Sequence, residues 1–198
     1  MHKARLEAFS DGVLAIIITI MVLELKVPHG GQLDALVPLL PVWSSYILSF
    51  VFVGIYWNNH HHLFQLVRHI GGGVLWANLH LLFWLSLFPF VTAWMGENHF
   101  AEHTVLLYGC ILMSAALAYT ILVRTLLRGH EAQSELARAI GSDFKGNLSL
   151  LVYAIGIALS FVNRWLALAC YCGVSLLWLI PDRRIERNLS ASSTATRS

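Results

Sequence analysis

The chain has 198 residues, of which 57% are hydrophobic and only 12% charged, with a net charge of +2. Soluble domains carry about 25% charged residues, so this chain cannot coat a water-facing surface. That excludes an ordinary soluble enzyme, a disordered chain and a nucleic-acid binder, and it points to an all-α integral membrane protein.

Crossing a bilayer core takes about 20 mostly apolar residues in a helix, and six segments qualify. The first runs from Ala8 to Leu25. Asp11 near its start, Glu24 near its end and the lack of a small-x-small site after it speak against a cleaved signal peptide. Pro28, Gly30, Gly31 and Pro38 then break the chain. The second segment is Leu39–Phe64 and the third is Gly72–Met95, with Pro89 a possible break near its end. The fourth is Thr104–Leu127. A short cytoplasmic helix is expected between Gly129 and Lys145, where Glu131, Glu135 and Asp143 are mixed with Arg138. The fifth is Leu148–Val162, with a start that can reach back to Phe144. A turn at Asn163-Arg164 leads to the sixth, Trp165–Ile180. Residues 1–189 form one domain without internal repeats, and the Ser/Ala/Thr-rich tail 190–198 is expected to be disordered.

Charge sets the orientation. With the N-terminus inside, only Lys26 and Arg164 of the 13 lysines and arginines fall outside. The positive-inside rule then puts both termini in the cytoplasm, as an even number of spans requires.

Polar residues inside a membrane are costly and mark function, and they concentrate in the first helix. At roughly 100° per residue, Gly12, Ile16, Thr19 and Leu23 share one stripe. By spacing alone this stripe suits either ordinary helix packing or an outward-facing surface. Asp11 lies roughly 140° from Ile16 by the same geometry and is expected to face into the protomer. Its carboxylate needs a partner, such as Arg5 or a histidine, or else it relays protons or ions. His60, His61 and His62 are adjacent on a helix and point in different directions, so they make a poor metal site. His60 is the expected partner of the Asp11 network. His80, four residues before Trp84, reads as a satisfied bundle histidine. No nucleophile–base pair, phosphate loop or cofactor motif is visible, and no ladder of arginines suggests a voltage sensor.

Arg5-x-x-x-Phe9-Ser10-Asp11 opening the first span resembles the signature of the transmembrane-protein-175 potassium channels. Trp57-x-x-His60 with Phe64, Asn78, and Leu87-Phe88-Pro89-Phe90 resemble further positions of that family, with Phe88 standing where Leu is usual. The resemblance covers the first three helices. It implies a six-helix chain assembled as a homotetramer around a central pore lined by the first helix. It implies potassium ions as the permeant, no cofactor, and a multi-pass location in the cell membrane, that of a bacterium given the single-repeat length. By motif position, Ile16 is then the apolar constriction, Thr19 the polar pore position one turn above it, Leu23 a second apolar ring, and Gly12 part of the same edge. Arg5, Phe9, Ser10, Asp11, Trp57, His60 and Asn78 form the network that holds the helix in place. The competing reading is a proton- or ion-coupled secondary transporter using Asp11 and the membrane histidines.

Overall fold

The computed structural model describes residues 3–67, 70–128 and 144–179, and these are helical apart from short connections. The order is α1 Lys3–Leu23, a 3-10 turn Leu33–Leu39, α2 Leu40–Gln65, α3 Gly72–Ser86, α4 Phe88–Glu97, α5 Glu102–Arg128, α6 Phe144–Ser160 and α7 Arg164–Leu179. The expected short helix between residues 129 and 143 and the tail 190–198 lie outside the described residues.

The expected third span is two helices. Pro89 sits in the first turn of α4, where its missing N–H breaks the hydrogen-bond ladder that would have continued α3. Taken together, Gly72–Glu97 is still 26 residues of apolar chain. Among the described residues it is one of four stretches long and apolar enough to cross a membrane, with α1, α2 and α5. The expected fifth and sixth spans, α6 and α7, are apolar but shorter, at 17 and 16 residues. The start of α6 does reach back to Phe144.

Helix ends follow local chemistry. After Leu23, Pro28 and a left-handed Gly30 (φ +117°) prevent continuation of α1. Pro41 opens α2 in its first turn, where a lost N–H has no cost. His99 and Phe100 take positive φ between α4 and α5, and Phe100 N–H closes that turn on the Met95 carbonyl at 2.9 Å.

α5 is the central post. It packs against α3, α4, α6 and α7, and Tyr108, Leu112, Ala115, Ala118, Leu122 and Leu126 on it are fully buried. α1 lies to one side, against α2, α3 and α4. Helices in lipid associate by close packing rather than by hydrophobic expulsion, and small residues permit that approach here. A Cβ on Gly109 would fall 1.9 Å from the Tyr171 hydroxyl, and one on Gly156 would fall 2.5 Å from the Tyr171 ring. The Tyr171 ring therefore fills a slot between two glycines, one on α5 and one on α6. Its buried hydroxyl has no hydrogen-bond partner among the described residues.

Candidate functional site

The site is built on α1, whose two edges differ sharply. Leu6, Ser10, Leu14, Ile17 and Met21 recur at spacings of 4, 4, 3 and 4 and are buried against α2, α3 and α4. Gly12, Ile16, Thr19 and Leu23 lie on the opposite side, and all four are exposed on the protomer, Ile16 at 58% and Leu23 at 80%. The Thr19 hydroxyl donates to the Ile16 carbonyl at 2.9 Å. Its proton is thus turned toward the helix backbone, and its lone pairs remain available on the exposed side.

Asp11 departs from expectation. It is exposed rather than turned into the protomer. At roughly 100° per residue it stands on a flank of α1, about 100° from either edge. The inward polar position belongs to its neighbour Ser10. The indole Nε1 of Trp57 on α2 donates to Asp11 Oδ1 at 3.1 Å.

The remaining network residues divide. Ser10, Asn78 and His60 are buried and linked in series across α1, α3 and α2. Asn78 Nδ2 donates to Ser10 Oγ at 2.9 Å, and Ser10 donates onward to the Leu6 carbonyl at 2.9 Å. His60 Nε2 lies 2.8 Å from Asn78 Oδ1. That oxygen can only accept, so Nε2 carries the proton. The His60 ring stacks on Phe64, with centroids 4.5 Å apart. His60 therefore joins α1 through Asn78 and Ser10, not through Asp11. Arg5 and Phe9 are exposed. Helical geometry sets them on the side of the Ile16 stripe, and neither joins this network.

His61 stacks on Trp57, with centroids 6.0 Å apart, and bonds Gln65 at 2.8 Å. His80 is on the outer face of α3 and accepts from Trp84 Nε1 at 3.0 Å.

A second buried chain escapes sequence reasoning. Thr92 donates to Ser49 at 2.6 Å, Ser49 is bonded to Tyr108 at 2.9 Å, and Met21 Sδ lies 3.9 Å from the Thr92 hydroxyl. It ties α4, α2 and α5 together behind the upper part of α1. A serine or threonine in a membrane helix can always bond its own backbone, so the sequence carries no signal that these three hydroxyls meet. Just beyond the C-terminal end of α1, Lys26 forms an exposed ion pair with Glu97 at the end of α4, at 2.5 Å.

Comparison with known proteins identifies the family of the chain. Residues 5–89 match the family model described as the endosomal/lysosomal potassium channel TMEM175. A potassium channel of a Chryseobacterium species is 57% identical over 189 residues, covering 96% of this chain and 98% of the relative. A potassium channel of Streptomyces collinus is 33% identical over 181 residues, covering 86% of this chain and 88% of the relative. The crystal structure of a lysosomal potassium-selective channel TMEM175 homolog from Chamaesiphon minutus superposes with a TM-score of 0.78 at 29% identity. It covers 90% of this chain and 96% of that one.

Proposed function

Because the chain belongs to the TMEM175 channel family, we propose that it is a potassium-permeable channel whose conduction path is the exposed edge of α1. The family and the named relatives are ion channels rather than enzymes, and they do not favour a coupled transporter. The observation that carries the reading is the position of Gly12, Ile16, Thr19 and Leu23. On the isolated protomer they are exposed, not covered by any described helix, on a helix whose opposite edge is buried.

In this reading four copies meet around a shared axis. Four Ile16 side chains form a dry ring, and an ion crossing it loses hydration without replacement, so the ring gates by dewetting. Thr19, one turn above, offers hydroxyl oxygens that partly substitute for the water shell. Such oxygens favour the more weakly hydrated potassium over sodium, but one layer of them gives weak selectivity. Leu23 forms a second apolar ring, and Gly12 keeps the inner end of the edge wide. The buried Ser10–Asn78–His60 link and the Asp11–Trp57 bond hold α1 against α2 and α3. Opening then needs only a small rotation of α1 about these anchors. Charge placement supports both termini in the cytoplasm of a bacterial cell, with α6 and α7 completing six spans.

Single-channel recording from purified protein in a planar bilayer tests the reading. Unitary potassium currents are expected, whereas turnover without unitary steps would replace the channel with a transporter. Ile16→Asn hydrates the ring and should raise open probability several-fold; unchanged currents would remove Ile16 from the gate. Thr19→Val should shift the potassium-to-sodium permeability ratio, and an identical ratio would remove Thr19 from selectivity.

A further inference from the structure

Away from α1, a pocket of about 40 Å³ lies between α2, α5, α6 and α7, lined among others by Tyr56, Asn59, Tyr119, Tyr153 and Trp178. Most polar groups around it are paired within the protein. Tyr119 donates to the Asn59 carbonyl at 3.2 Å, and Trp178 Nε1 donates to Ser149 at 2.8 Å. The Asn59 amide nitrogen donates to the Ile55 carbonyl at 2.8 Å, which leaves its Oδ1 as a free acceptor. Tyr56 and Tyr153 are different. Both are over nine-tenths buried, at 8% and 3% exposure, and both line the pocket. Neither hydroxyl is hydrogen-bonded to any described residue. Neither oxygen is among the side-chain atoms that are both sealed off and unpaired, so both open onto the pocket, and two unpartnered phenols on one cavity point to an occupant that pairs with them.

Size and charge narrow the occupant. At about 10–15 Å³ for each water-sized group, the space holds roughly three or four non-hydrogen atoms. None of the lining side chains is an acid, so a cation would find no counter-ion inside. None of the lining side chains is charged, so an anion would find no counter-ion inside. The rings of Phe52 and Tyr119 offer apolar faces. We propose that this pocket binds a small neutral alcohol, its hydroxyl paired with the phenols of Tyr56 and Tyr153 and its short hydrocarbon part against Phe52 and Tyr119. Tyr56 and Asn59 each precede by one residue a group that holds α1, namely Trp57 and His60. An occupant pressing on α2 here therefore acts on the anchorage of α1. That consequence rests on the channel reading, whereas binding does not.

The probe is 2-fluoroethanol, followed by fluorine NMR with purified protein in lipid nanodiscs and with empty nanodiscs as the reference. Saturable binding displaced by 1-propanol is expected. The double variant Tyr56→Phe with Tyr153→Phe keeps the ring shapes and should bind about ten-fold more weakly. Ala116→Leu fills the pocket and should abolish binding. A signal that never saturates and equals that of empty nanodiscs is partition into lipid only and overturns the proposal. Saturable binding that the tyrosine double variant retains, with an unchanged melting temperature, overturns it as well. The readout involves no ion flux, so failure of the channel reading leaves this test intact.

Discussion

The two edges of α1 are made of similar residues and meet different fates. The buried edge carries Leu6, Leu14, Ile17 and Met21 around one serine; the exposed edge carries Ile16 and Leu23 around one threonine and one glycine. Each edge thus holds aliphatic side chains and one hydroxyl. What separates them is the partner of that hydroxyl. Ser10 accepts from Asn78, which in turn accepts from His60, so the buried edge is fixed in register by a chain through three helices. Among the described residues Thr19 bonds only its own backbone, and none of them fixes that edge. The hydroxyl with a distant partner marks the edge that holds, and the hydroxyl without one marks the edge free to face something outside the protomer.

Substitutions can break that contrast. The largest effect is expected from Asn78→Leu. It leaves the His60 Nε2–H without an acceptor and Ser10 with only its bond to the Leu6 carbonyl, and losing two buried pairings should cost about 2–4 kcal/mol. Thermal unfolding of the purified protein measures it, and an unchanged melting temperature would show that the buried chain does not fix α1. Trp57→Phe removes only the exposed bond to Asp11, with an expected cost of about 1 kcal/mol. Asp11→Ala should match it, and the double variant should be no worse than either single change, since both delete one interaction. Full additivity would mean that Asp11 has another partner.

On the exposed edge, Thr19→Val should leave protomer stability within about 0.5 kcal/mol while altering conduction. A large loss of stability there would mean that the edge is structural. Lys26→Met should have the smallest effect. The hydrogen bond and charge of Glu97 raise the Lys26 pKa above its ordinary 10.5. The pair's contribution is therefore complete below that value and is lost as pH rises past the raised one. The pair is exposed and screened, so melting curves of the variant and the parent should coincide at neutral pH.

Much of the fold was legible in the sequence because bilayer thickness and backbone hydrogen bonding leave few options for long apolar runs. That Gly12, Ile16, Thr19 and Leu23 share one edge was legible too, from their helical spacing, but spacing alone left open whether that edge packs inward or is exposed. The direction of Asp11 was not legible. Opposition to Ile16 left a wide arc open, and only packing against α2 and α3 showed that Ser10 fills the inward position and Asp11 the flank. The break between α3 and α4 was suggested by Pro89, but a proline alone does not say whether a helix bends or stops.

By itself, then, the sequence determined the class of molecule, the extents of its apolar helices and which residues line up along α1. All of these follow from local periodicity and the cost of bare polar groups in hydrocarbon. Only the tertiary structure decided which distant side chains meet: His60 with Asn78 and Ser10, Thr92 with Ser49 and Tyr108, and the Tyr171 ring between two glycines. Such pairings depend on helix rotation and crossing geometry, which are set by the packing of all the helices at once and leave no periodic trace in any one of them.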